Sequence, residues 1–344
     1  MAFYRELSQA FVEKLGEEYE LGKLISVSGI AEGSVNSNYL VESNRSKCLL
    51  RVDEVKSEAE IRREIDLLSF LHRHSFPCPY PLQDSLGRYY RDYDQRYAAV
   101  FKYYEGRTVA VEDLGPTHLY AIGRMLAELH IIGKGYKKAL ENRFSFERIA
   151  ELFKVVAAQL PAHFRRVVRA LQDEIDYLGH YLDERLPKGV IHGDLFADNV
   201  VFRGGRLCAL LDFEAACRGK FIFDLATAVN ALCFVGEQYS LERFRHLTNG
   251  YESTRALSLA EWDAFPNELR YSALRFTVTR LNDFFLHPVD DGRRRSKDFR
   301  EFFDRLCILR REKEGGMDLL LMAMATGYDY RKYQKVKSTE KLRA

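Results

Sequence analysis

Three side chains in one short stretch could do chemistry together. In VIHGDLFADNVVFRGGRLCALLDFEAA, residues 190–216, Asp194 follows His192 and Gly193, and Asn199 lies five residues further on. Asp212 ends the next apolar strand. An acid, an amide and a second acid on a loop and a strand end are what phosphoryl transfer from ATP requires. Asp194 would orient or deprotonate the attacking hydroxyl. The amide oxygen of Asn199 and the carboxylate of Asp212 are hard ligands of the kind Mg²⁺ takes, and the metal would neutralise charge on the transferred group. His192 is expected to brace the loop.

Such residues need rigid elements around them. Val190 and Ile191 before the loop, and Ala209, Leu210 and Leu211 before Asp212, read as short apolar strands. Upstream, residues 3–20 carry Phe3, Leu7, Phe11 and Leu15 at helical spacing, and LGKLISVSGIAEGSVNSNYLVES reads as two strands around a loop. KCLLRVDE is a third strand. A helix is expected from about Ser57, with Ser57 and Glu60 as a capping box and Ile61, Ile65, Leu68 and Leu71 on one face. Pro77, Pro79 and Pro81 end it. Residues 88–105 alternate and predict a hairpin. Helices are expected over 116–132, over 145–185, and through most of the chain from Asp224 to about 328. The texture changes from strand-rich to helix-rich near 104–108, which predicts two lobes, 1–104 and 105–344.

Composition sets the class. The 344 residues, 47% hydrophobic and 30% charged, suit a globular chain of about two domains. With 52 Lys+Arg against 50 Asp+Glu, the net charge of +2 gives no electrostatic footprint for nucleic acid. No apolar run reaches the ~18 residues of a membrane span, and the six cysteines form no C-x-x-C pair. The reading is a cytoplasmic monomer or homodimer acting on a small hydroxylated molecule. The tract Arg293, Arg294, Arg295 and the basic tail from about 330 read as solvated.

The loop resembles that of the kinase-like fold in its small-molecule phosphotransferase branch, written H-G-D-x-x-x-x-N, a strand, then D. His192, Gly193, Asp194, Asn199 and Asp212 match it position by position. The resemblance implies an α+β, protein-kinase-like two-lobed fold: a small antiparallel-sheet N-terminal lobe and a large, mainly helical C-terminal lobe, with ATP and Mg²⁺ as cofactors. It implies that Arg51 on the third strand, where Lys is more usual, pairs with phosphate and with Glu64 of the next helix. It also implies that the loop holding Gly33, Ser34 and Asn36 covers the phosphates, and that residues 101–106, with Phe101 and Tyr103, form the adenine-binding hinge.

Within that branch the sequence is similar to homoserine kinases of the kinase-like type. The likeness lies in Phe196 and Asp198, in Gly29–Gly33 followed by Asn36–Tyr39, in Phe223–Ala226 with Val229–Cys233, and in Ala273–Phe276 running on to Arg280–Phe284. Homoserine is a zwitterion, so its site needs a cation for the carboxylate and an acid or carbonyl for the ammonium. Arg275, Arg280 and Asp283 on one helix are the candidates, with Arg275 and Asp283 expected to share a face. Phe213 and Glu214 after Asp212 depart from those homoserine kinases and leave choline, ethanolamine or an aminoglycoside open as acceptor. A protein kinase and an inactive nucleotide-binding scaffold are disfavoured: the segment before Asp224 is too short for a peptide-docking loop, and all three polar residues are present.

Overall fold

The computed structural model describes residues 7–30, 36–287 and 297–311. Gly33, Ser34, the arginine tract at 293–295, the helix expected near 317–328 and the basic tail lie outside them. The described chain forms two compact units. One takes the chain up to Arg107 and the segment Cys208–Glu214. The other takes Thr108–Leu207, Ala215–Leu286 and residues 298–311.

In the first unit, helix α1 (Gln9–Glu18) starts at Ser8, whose side chain accepts from the Phe11 amide. A five-stranded antiparallel sheet follows, built from β1 (Leu24–Gly29), β2 (Ser37–Ser43), β3 (Lys47–Asp53), β4 (Arg91–Tyr93) and β5 (Arg96–Lys102) in the order β1-β2-β3-β5-β4. Helix α2 (Glu58–Arg73) is inserted between β3 and β4 and carries the expected Ser57/Glu60 capping box. Asp94 and Gln95 turn the β4–β5 hairpin with positive φ of 48° and 59°, the two-residue geometry whose twist suits a hairpin. Side chains alternate along β3. Cys48, Leu50 and Val52 enter a core with Leu15, Tyr19, Tyr39 and Val100, while Arg51 faces the other way, towards α2.

The second unit is mainly helical. It contains α3 (Pro116–Gly133), opened by a proline that needs no helical donor there, then α4 (Phe146–Gln159) and α5 (Arg165–Tyr181). Strand β6 (Lys188–Ile191) leads into the polar loop, β7 (Val200–Arg203) follows it, and β8 (Arg206–Leu210) carries the chain out of this unit. Strand β9 (Cys217–Lys220) pairs with β6, Ile191 opposite Cys217. Helix α6 (Phe221–Leu232) follows directly and is buried along its whole length. A small hairpin, β10 (Phe234–Val235) with β11 (Gln238–Tyr239), has no counterpart in the expectations. Then come α7 (Leu241–Glu252), α8 (Leu259–Arg280) and α9 (Arg300–Arg311), with a π-helical turn at Leu281–Leu286 after α8. Helices α3 and α7 lie so close that a Cβ on Gly250 would sit 2.0 Å from the Tyr120 carbonyl oxygen. Among the described residues no helix is long and apolar enough to cross a membrane, and all six cysteines are free.

Candidate active site

In the second unit, the loop after β6 is anchored from beneath by Asp224. This carboxylate, fully buried in the first turn of α6, accepts from the backbone amides of His192 (2.7 Å) and Gly193 (2.8 Å). His130 of α3 contacts it at 3.0 Å through Nε2 and meets the Tyr251 hydroxyl at 2.7 Å through Nδ1. Burial alone would push Asp224 up. His130, His192 and the Gly193 amide outweigh it and hold the carboxyl below its usual range. Burial lowers His130, against the pull of Asp224. Gly193 stands at φ +74°, and a Cβ there would lie 2.8 Å from the Ala215 carbonyl oxygen, so glycine alone fits between His192 and Asp194.

The loop then turns back on itself. His192 Nδ1 accepts from the Asp194 amide at 3.3 Å, so His192 braces the loop from a fully buried position. Asn199 Nδ2 donates to the Asp194 carbonyl at 2.8 Å. A carbonyl only accepts, so the NH₂ must face it and Asn199 Oδ1 points away, presenting a hard oxygen donor. Phe196 packs edge-on against Phe276 and Phe302. The Asp194 carboxylate stays partly exposed, and its Oδ1 lies 3.6 Å from Nη1 of the buried Arg275. That is an ion-pair distance, too long for a hydrogen bond.

The three residues expected to bind the acceptor have separate environments. Arg275 meets Asp194. Arg280 Nη1 donates to Glu301 Oε2 (2.5 Å) and to the Asp298 carbonyl (2.9 Å), tying α8 to α9. Asp283, in the π-helical turn, accepts from Asn282 Nδ2 and does not pair with Arg275.

In the first unit a second charged cluster surrounds Arg51. Its Nη2 donates to Glu64 Oε2 at 2.8 Å and its Nε to Asp53 Oδ2 at 3.2 Å, while the guanidinium lies 4.5 Å over the ring of Phe101. Phe101 is buried, so its side chain supports Arg51; Tyr103 is half-buried. Sequence reasoning missed Lys56. Its ammonium touches the same Glu64 oxygen at 2.8 Å, Asp53 at 3.1 Å and Glu214 at 2.9 Å. The signal was available: a lysine three residues beyond a strand whose expected lysine is an arginine. Arg51 and Lys56 together outweigh burial and draw the Glu64 carboxyl down to about 2.

Glu214 enters this cluster because the segment 208–214 belongs to the first unit. Leu210 N donates to the Pro77 carbonyl at 3.1 Å, and Phe213 is buried against the edge of Phe76. Glu214 also accepts from Asn36 Nδ2 at 2.5 Å, and Asn36 Oδ1 takes the Glu54 amide. Asp212 itself is exposed and stands at φ +55°, a left-handed conformation that costs a non-glycine residue about 1–3 kcal/mol and concentrates at functional sites.

Residues 26–257 match the family model described as the phosphotransferase enzyme family. The chain belongs to that family. Among relatives of this phosphotransferase, the homoserine kinase of Parvibaculum lavamentivorans is 34% identical over 89% of this chain and 95% of its own. That of Methylobacterium radiotolerans is 35% identical over 91% and 98%. In fold, the phosphotransferase is similar to an amicoumacin kinase solved with AMP-PNP and Ca²⁺: TM-score 0.67 at 17% identity, covering 95% of this chain and 97% of the other. It has the kinase-like fold.

Proposed function

We propose that this phosphotransferase is a homoserine kinase, moving the γ-phosphoryl group of ATP to the side-chain hydroxyl of L-homoserine. The observation that carries the reading is the similarity to homoserine kinases, at about one residue in three, over nearly the full length of both chains. Asp194 takes the hydroxyl proton or fixes its direction, the oxygen attacks the γ-phosphorus, and the bond to the β-phosphate oxygen breaks to release ADP. A partly exposed carboxylate on a loop pinned at two amides is suited to that positioning.

On the nucleotide side, Arg51 and Lys56 supply charge for phosphate oxygens, and Glu64 fixes both cations. Gly33, Ser34 and Asn36 are assigned to the phosphate-covering loop, and Phe101 and Tyr103 to the adenine end. The outward Oδ1 of Asn199 and the exposed Asp212 carboxylate are the oxygen donors Mg²⁺ prefers. The metal would supply charge that offsets that of the phosphates.

The test is ADP release from Mg·ATP with homoserine, choline, ethanolamine and an aminoglycoside as acceptors. Turnover selective for homoserine is expected. Turnover selective for one of the others overturns the reading.

A further inference from the structure

Five arginines of the described residues are buried, all in the second unit: Arg255, Arg270, Arg275, Arg280 and Arg305. Four of them hold a carboxylate within 2.7 Å: Glu261, Glu174, Glu301 and again Glu301. Arg275 is the exception. It is 4% exposed, and neither its Nε nor its Nη1 has a hydrogen-bond acceptor among the described residues. Its one ion-pair partner among the described residues is Asp194, at 3.6 Å.

What fixes Arg275 is aromatic. The guanidinium carbon lies 3.9 Å from the ring centre of Phe144 and 3.8 Å from that of Phe276. Phe144 is itself held, since its carbonyl accepts from the Tyr271 hydroxyl. Ring contacts satisfy the faces of a guanidinium but not its N–H edge. N–H groups of a guanidinium pair well with the oxygens of a carboxylate. The exposed Arg143, 4.8 Å from the same Phe144 ring, adds positive charge beside it.

We infer that Arg275 is the specificity-determining residue of the acceptor site: its buried guanidinium, with Nε and Nη1 lacking acceptors among the described residues, reads a carboxylate on the molecule whose hydroxyl Asp194 engages. The acceptor class is then a hydroxylated carboxylic acid, such as a hydroxy-amino acid, and amino alcohols without a carboxylate are poor acceptors. This rests on the phosphotransfer role of Asp194 proposed above, and it narrows the three expected acceptor residues to one.

The experiment compares acceptors that differ only in the carboxylate: homoserine with aminopropanol, and serine with ethanolamine. In the wild-type enzyme kcat/KM should favour homoserine over aminopropanol by about 10³-fold or more, because a site built around a polar group rejects the analogue that lacks it. Arg275→Met should lower kcat/KM for homoserine by about 10²–10³-fold and that for aminopropanol by less than about tenfold, so the preference collapses. Arg275→Lys, which keeps a charge but not the planar edge, should retain an intermediate preference, and it decides the matter if the methionine variant does not fold.

Equal losses for both acceptors would overturn the inference and leave Arg275 acting through Asp194 alone. So would a wild-type enzyme with no preference for the carboxylate in either pair. If serine rather than homoserine is the acceptor and its advantage over ethanolamine depends on Arg275, the carboxylate assignment stands while the homoserine reading falls.

Discussion

Two charged clusters, one in each unit, are built on opposite plans. In the first, Arg51 and Lys56 share Glu64, and Asp53 and Glu214 close the set, so each cation has counter-ions from its own chain. In the second, Arg275 is held by two rings and meets one acid at 3.6 Å. On the roles proposed above, the nucleotide side can keep its cations paired within the chain, because a metal-bound nucleotide brings its own cation. A site for a carboxylate must keep a cation in reserve, and leaving a buried N–H without an acceptor costs about 1–3 kcal/mol. The stacked rings recover part of that, about 0.5–2 kcal/mol for each cation–π contact.

The largest expected effect is at the acid of the second cluster. Asp194→Asn should lower kcat by about 10³-fold or more, with nucleotide affinity by titration nearly unchanged. An enzyme that kept wild-type turnover would remove Asp194 from the chemistry and with it the contrast between the clusters.

Glu64 tests the first cluster by pH. Its carboxyl is held near 2 in the folded chain, below the ordinary 4.5. A depressed carboxylate stabilises above its unfolded value, and that contribution fades as pH falls from about 4.5 towards 2. It amounts to about 3 kcal/mol. Denaturant unfolding between pH 6 and pH 2 should therefore fall less steeply for Glu64→Gln, and identical slopes would mean the cluster is not prewired. Redundancy is the next sign. Arg51→Met and Lys56→Met should each raise KM for ATP about tenfold, and the double variant should lose more than the sum of the two free-energy costs, because each cation covers for the other at Glu64. Strict additivity would show independent sites. Last and smallest, Arg280→Met should lower unfolding free energy by about 1–2 kcal/mol while KM for homoserine moves by less than about threefold. A large change in KM would return Arg280 to the acceptor site.

Much of this was legible in the residues. Periodicity and capping gave α2, the β4–β5 hairpin followed from alternation, and the spacing of Asp194, Asn199 and Asp212 pointed to phosphoryl transfer, because those are local patterns. What sequence reading missed is non-local. Lys56 acquires its role because Glu64 is on the next helix and Glu214 is 158 residues away. Asp224 was noted as part of a motif, yet its hold on the loop depends on α6 burying it beneath two amides. Helical spacing grouped Arg275, Arg280 and Asp283, whereas α9 captures Arg280 and the backbone turns π-helical before Asp283. Spacing along one helix says which residues are neighbours on it, and nothing about what other helices bring to them.

The anchoring of the loop by Asp224 also has a consequence in time. Loops that carry chemistry commonly open on their own, far more often than the core beneath them. Here the amides of His192 and Gly193 are bonded to a carboxylate with no solvent exposure, on a helix that is itself buried. Those two amides reach water only when α6 lets go. The two amides preceding Asp194 should therefore exchange their protons with solvent on the clock of the helical core, and that stretch of the loop should loosen late.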